Sequence, residues 1–517
     1  MRITNKVMQN NALVNINRNK ETQDALNNQL ATGKKVNRPS EDPIVAIRAL
    51  RLRSDVDQVS QYLKKNVPDA VSWLQLTEGA LKTTVSVLND MIEKCESGAS
   101  DQLKTEDRKV IIDSLNELYK EVYNTGDSDY AGRYIFTGYR TDTSLSFGTQ
   151  TKQQYQITEA FDCSKLEAMT YIDTAGADDF ELTDLSETKY QNTAGDGPAV
   201  TENDITSVEY FRFRLAYDNL DKVQTDADDD TLLPDNISLK VGTTDYPVTV
   251  LDDPAAAYSG MEAAPDSVVL IPSTGELLLG KNVYDAMQKP GETFTISYSK
   301  SEWKSTDLRP QHYFNALTKD TEGKTIEYNP DYPTNRTIGQ AIEYQVGFNQ
   351  SIQVNTYAED VYQHAIGRDV GEITDLANKL TDIENIKAKL EEMSKDADQY
   401  SEEERKTIAL NLEAVEKAET LTKDQLQKRF SSYITKMQSY MNDADEALTV
   451  VGNRSARVAL IENRLTDQKE TFDNLKSDNE DADETEVAVQ LSSAQVSYEA
   501  ALMATSDMIK TTLLNYL

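Results

Sequence analysis

Two heptad runs flank a long stretch of different character. Val67, Leu74, Leu81 and Leu88 recur every seven residues, with Val71, Val85 and Ile92 beside them and Leu52, Val56, Val59 and Leu63 continuing the face upstream. Near the other end, Val451, Val458, Leu465 and Phe472 repeat the spacing, accompanied by Ile461 and Leu475. An apolar stripe with this period is covered only by a partner helix, so the chain is expected to bring its two ends into one bundle. Beyond each heptad helix lies a weaker one. The first carries Ile3, Val7, Val14, Leu26 and Leu30 among many asparagines, and the last carries Val487, Leu491, Ala494, Tyr498, Ala501, Ile509 and Leu513. Helices with so thin an apolar face are marginal alone, because most helix stability comes from packing.

Each weak helix is separated from its heptad helix by a break. The first break is "GKKVNRPSEDP", residues 33–43. Gly33 suits a left-handed helix end, Pro39 disfavours helix at Arg38, Asp42 can cap the next helix, and Pro43 fits its first turn. The second break is the acidic "KSDNEDADETE", residues 476–486. In the mirrored layout the breaks lie side by side, and Lys34, Lys35 and Arg38 are expected to meet those acids, within or between subunits. Between the bundles, roughly 132–360, aromatic and β-branched runs such as "VEYFRFRLAY" (208–217), "TFTISYS" (293–299) and "IEYQVGFNQSIQVNTY" (342–357) read as strands. A helical stretch over 370–430 has no evident purpose in this scheme. The expected fold class is α+β. It divides into terminal helices (1–43 and 485–517), a helical shell with β-hairpin segments (44–150 and 336–484) and a variable β-rich domain (151–335).

Chemistry is mostly excluded. The net charge is −35, which argues against nucleic acid and anionic membrane as partners. Residues 1–53 are the exception, with ten Lys/Arg against four acids. No apolar run nears the roughly 18 residues of a membrane span. The first twenty residues lack the apolar core of a secretory signal, so a cytosolic chain, or export without the general signal-peptide route, is expected. Gly33-Lys34-Lys35 is no phosphate loop, having Asn at 28 and Lys at 35. The two histidines, His312 and His364, form no zinc or triad motif, and His364 reads as a surface or boundary residue. Asp226, Asp228 and Asp230 imitate a calcium loop but continue with Thr231 and Ile237 where Gly and Glu are needed. Cys95 and Cys163 can make at most one bridge. No catalytic residue, cofactor or metal site is expected, and the chain reads as a structural part rather than a catalyst.

"MRITNKVMQNNALVNINRNKETQDALNNQLATGKKVNRPSEDPIVAIRALRLRS", "GRYIFTGYRTDTSLSF", "IEYQVGFNQSIQVNTYAEDVYQ" and the segment from Val451 to Leu517 resemble the bacterial flagellin family. Residues 151–335 carry no such resemblance. The resemblance implies a flagellar structural subunit, with the segments after residue 132 favouring the hook–filament junction over a filament-forming flagellin. It implies type III export, terminal helices that order on assembly, and an inner coiled coil. In that coiled coil Ile3, Val7, Val14, Leu26 and Leu30 face Leu491, Tyr498, Leu502, Ile509 and Leu513. It also implies a homo-oligomeric ring, with hook-associated protein 1 on one side, flagellin on the other, and an export chaperone on the C-terminal helix. An adhesin role for the middle domain is the further alternative.

Overall fold

The computed structural model describes residues 5–100, 103–174, 200–224, 237–241, 244–289, 293–320, 322–334 and 340–510. The calcium-like Asp226, Asp228 and Asp230 lie outside them. Four helices open the chain: α1 (Asn5–Thr32), α2 (Pro43–Gln61), α3 (Val67–Gly98) and α4 (Thr105–Gly126). A π-helical turn, Tyr62–Asn66, joins α2 to α3. Pro68 follows it and has no N–H to donate to the preceding turn, which accounts for the local widening. Most of the heptad stripe is buried: Val67, Leu74, Leu81 and Leu88 are fully enclosed, as are Val451 and Val458, whereas Phe472 is half-buried and Leu475 exposed.

Packing divides the chain into two units, the first formed by residues 1–71, 344–352 and 456–517 and the second by 72–343 and 353–455. The division falls within the long helices and not at the breaks, because the breaks are themselves tied together. In the first unit the hairpin of β13 (Glu343–Gly347) and β14 (Gln350–Gln353) anchors α2 and its π turn. Asn66 Nδ2 donates to Gln345 O at 2.7 Å, and Tyr62 meets Phe348 edge-on at 5.8 Å.

The second unit holds a short hairpin, β1 (Asp129–Tyr130) with β2 (Arg133–Tyr134), and a ten-stranded sheet. Its strands are β3 (Thr151–Phe161), β4 (Leu166–Asp173), β5 (Thr206–Arg214), β6 (Ile237–Val241), β7 (Thr244–Val250), β8 (Val268–Ile271), β9 (Glu276–Leu279), β10 (Phe294–Trp303), β11 (Asn315–Lys319) and β12 (Thr325–Tyr328). The spatial order is β12-β11-β3-β10-β6-β7-β8-β9-β5-β4. Neighbours are antiparallel except β7 and β8, which α5 (Pro254–Gly260) connects as a crossover. A second short helix, α6 (Lys281–Met287), leads towards β10. The strands expected at 208–217, 293–299 and 342–357 are present as β5, β10 and the β13–β14 hairpin.

The stretch 370–430 has a structural purpose. It forms α7 (His364–Lys395) and the start of α8 (Glu402–Glu480), and α9 (Glu484–Lys510) completes the chain. Ile383, Ile386, Leu390 and Met393 of α7 interlock with Ile408, Ala414, Val415 and Ala418 of α8, and the seam closes on Ile172 and Ile205 of the β region. The helical hairpin is therefore an outrigger that covers one edge of the sheet. It was not assignable from sequence because its partners lie about 200 residues away in the chain.

Strand β5 alternates aromatic and basic residues, and its pleat sends Tyr210, Arg212 and Arg214 to one face. Arg212 is 1% exposed and is held by Glu167 and Glu372, both at 2.8 Å, and by Glu276. Arg214 pairs with Asp369 and, at 3.0 Å, with Glu372. These bonds clamp α7 to the sheet through charge. Burial alone would raise the Glu167 carboxyl, but Arg212, Arg214 and Lys436 hold it down at about 2. A carboxylate depressed below its ordinary 4.5 stabilises the fold at higher pH, and that contribution is lost as pH falls towards 2. Replacing one partner of such a network leaves buried charge unmatched, at about 3–5 kcal/mol. Arg212→Met is expected to lower the melting temperature at pH 7 and to flatten its fall between pH 4.5 and 2, as read by calorimetry; an unaltered pH profile would contradict the clamp.

Candidate assembly face and joint

The two breaks form one structure. Gly33 takes φ +67° and closes α1 by donating from its N–H to Gln29 O at 2.8 Å. The chain then runs extended for one residue, and Lys34 pairs antiparallel with Asp481. Lys35 N donates to Glu480 O at 2.7 Å, and Ala482 N to Gly33 O at 2.9 Å. Downstream, Asp42 accepts from Ile44 N at 2.9 Å and Val45 N at 3.1 Å to cap α2, with Pro43 in its first turn. Asp483 caps α9 in the same way, accepting from Thr485 N at 2.9 Å and Glu486 N at 3.1 Å.

Side-chain charge overlies this backbone bridge. Lys34 Nζ lies 2.5 Å from Asp481 Oδ1 and 3.3 Å from Glu480 Oε2. Arg53 grips Glu480 with two bonds, Nε to Oε1 at 2.6 Å and Nη2 to Oε2 at 2.7 Å. Glu480 is the buried member and its neighbours are partly exposed. The bond from Arg53, then that from Lys34, holds the Glu480 carboxyl below the usual range. The bond to Asp481 raises Lys34.

The expected cations are only partly the observed ones. Lys34 meets two acids. Lys35 Nζ reaches a backbone carbonyl, Asp478 O at 2.6 Å, and no carboxylate among the described residues. Arg38 is exposed in the turn before α2, where Glu41 Oε2 accepts from Asn37 N at 2.9 Å and Arg38 N at 3.4 Å. Its guanidinium forms no ion pair with the acidic break of its own chain among the described residues, which leaves the expected pairing between subunits as a proposal. Arg53 pairs with Glu480 instead, from three helical turns beyond the break and 427 residues away in the chain. Pro39 lies in the same turn as Arg38.

Beyond the joint, α1 and α9 lie side by side. Their shared core is short: Leu26, Val487 and Leu491 are buried, with Ala482 and Ala494 against them. Tyr498 is half-buried. Val7, Val14, Leu30 and Leu502 are exposed, Val14 at 64%. Met8, Leu13, Val489, Val496 and Met503 are exposed as well, Met503 at 70%. Ile3 and Leu513 lie outside the described residues, as does the Ile509 side chain. Each such side chain gains about 1.5–3 kcal/mol when fully buried.

The histidines have structural roles. His312 bonds Ser144 O through Nε2 at 3.1 Å, and His364 bonds Tyr217 Oη at 2.9 Å at the head of α7. Burial lowers both imidazoles to about 3. Cys95 is enclosed, and its thiol is pushed up to about 12. Among the described residues no group of acids, His or Cys could hold a metal ion, and no helix is long and apolar enough to cross a membrane.

Glu480→Gln keeps the shape of the joint and removes its central charge. The amides of Lys35 and Ala482 are expected to exchange with deuterium roughly fivefold faster, an opening cost reduced by about 1 kcal/mol. Unaltered exchange at both amides would refute the charge lock.

The bacterial flagellin N-terminal helical region matches residues 3–141. Flagellar hook-associated protein 3 of Salmonella typhimurium is 30% identical over 145 residues, 28% of this chain and 45% of that protein. Flagellar hook-associated protein 3 of Escherichia coli is 32% identical over 117 residues, 22% of this chain and 37% of its own. A flagellin of Clostridium tyrobutyricum is 26% identical over 231 residues, 42% of this chain and 58% of its own. The chain thus spans about half the length of the curated relatives it matches. Among solved structures, flagellar hook associated protein-3 of Legionella pneumophila aligns over 80% of this chain and 98% of its own at 12% identity, with a TM-score of 0.21, too low to bear on the fold. Over residues 3–141 the chain is similar to the N-terminal helical region of bacterial flagellins.

Proposed function

We propose that this chain is a structural subunit of the bacterial flagellum, placed at the junction of hook and filament, and not an enzyme. The observation that carries the reading is the terminal helix pair: α1 and α9 are locked together at the joint yet leave Val7, Val14, Val496 and Met503 uncovered. Neighbouring subunits would cover those side chains in a homo-oligomeric ring. The resemblance to hook-associated protein 3 in two organisms supports the junction over the filament body. On this reading, hook-associated protein 1 meets the ring on the hook side and flagellin on the filament side. An export chaperone holds α9 before type III export, shielding Val489, Val496 and Met503. The domains act as a terminal rod, a helical shell and an outward β-rich domain.

The flagellin alternative has its own support in the longer, weaker likeness to the Clostridium protein. Seeding separates the two. Purified chain added to filament ends is expected to stop after a short cap, and growth of long filaments would place it among the filament-forming subunits. Cells lacking the chain are expected to carry bare hooks and to shed flagellin into the medium. Normal filaments on such cells would contradict the junction role.

A further inference from the structure

Helix α2 leaves one face uncovered. Ala49, Val56 and Val59 are its buried residues. Away from them Ile44, Ile47 and Leu50 are 66%, 55% and 62% exposed, and the exposed Arg48 and Arg51 stand among them. The ion pairs of this region run through Lys34 and Arg53. Arg38, Arg48 and Arg51 form none among the described residues. An apolar patch with a basic fringe suits a partner whose own face is apolar with an acidic fringe.

The outer face of α8 has that character. Val458, Ile461 and Leu465 turn inward. Asp467, Glu470 and Asp478 are exposed on the other side of the helix, beside Thr471 and the 47% exposed Leu475. The side chains of these three acids hold no cation among the described residues. The neighbouring charges are engaged: Lys469 holds Asp473 at 2.7 Å, and Arg464 bonds Gln350.

The two faces match in spacing. Arg48 and Arg51 are three residues apart, as are Asp467 and Glu470. With the helices antiparallel and Arg51 level with Asp467, Arg48 comes level with Glu470. Ile44 and Ile47 then lie over Thr471 and Leu475, and the turn holding Arg38 approaches Asp478. Within one chain the faces do not meet, since each points away from the buried residues of its own helix. The net charge of −35 makes copies repel one another in most orientations, and residues 1–53 carry the exceptional positive excess. Contact through α2 therefore selects one orientation of approach.

We propose that the basic face of α2, with Arg38 beside it, docks on the acidic outer face of α8 in a second copy of this chain. The contact joins two different faces, so it repeats head to tail and closes into a ring when the rotation allows. This inference rests on the assembly reading above and adds a contact outside the α1–α9 pair.

Cells lacking the chain and supplied with variants of it test this, read as the fraction of hooks that carry filaments in electron micrographs. All four substituted positions are exposed, so the variants are expected to melt with the wild-type chain. Arg48→Glu with Arg51→Glu, and separately Asp467→Arg with Glu470→Arg, bring like charges together across the contact. Each pair is expected to lower the fraction at least about tenfold. The chain with all four substitutions restores both ion pairs with reversed sign and is expected to regain most of the wild-type fraction. A wild-type fraction from either double variant would overturn the contact and leave the junction role standing. A quadruple variant as poor as the doubles would also overturn it, because α2 would then serve a different partner. If the wild-type chain itself restores no filaments, the junction role and the contact fall together.

Discussion

Two backbone hydrogen bonds, Lys35 N to Glu480 O and Ala482 N to Gly33 O, hold the ends of a 517-residue chain in one register. Register matters because α1 and α9 have so little of their own to fix it. Among the described residues Leu26, Val487 and Leu491 are the ones buried between them, and a slip by one residue would turn those side chains away from each other. The short antiparallel bridge removes that freedom, and the Arg53–Glu480–Lys34 network keeps it closed. Each element around it follows from local chemistry: a glycine that can adopt positive φ, a proline in the first turn of α2, and two aspartates that cap the outgoing helices.

The joint therefore separates two kinds of helix. On one side, Val67, Leu74, Leu81 and Leu88 are completely covered within the chain. On the other, Val14 and Met503 face solvent. A subunit that must assemble with copies of itself has to keep apolar surface in reserve, and it has to keep that surface correctly spaced. The covered heptad helices supply a stable body, and the locked joint sets the geometry of the uncovered pair. This division of labour is the physical content of the proposed junction role.

Much of this was legible in the sequence because the signals are local. Heptads report burial directly, a Gly after the last helical residue reports a helix end, and Asp-Pro reports a helix start. Lys34 was legible because the mirrored layout places it opposite acid. Arg53 was not, since nothing local distinguishes it from Arg48 or Arg51 on the same helix. The ion clamp of β5 was equally hidden: "EYFRFR" reads as an alternating strand, and only the fold brings Glu167, Glu276, Glu372 and Asp369 to its arginines. The same holds for the 370–430 hairpin, whose apolar seam closes on strands encoded two hundred residues earlier.

The central claim is that α1 and α9 carry surface reserved for neighbouring subunits. Hydrogen–deuterium exchange compared between the free chain and isolated hook–filament junctions measures it most directly. The account predicts that amides around Val7, Val14, Val496 and Met503 exchange quickly in the free chain and become strongly protected in the junction, with the Val67–Leu88 stripe protected in both. Equal exchange of the terminal helices in the two states would contradict it.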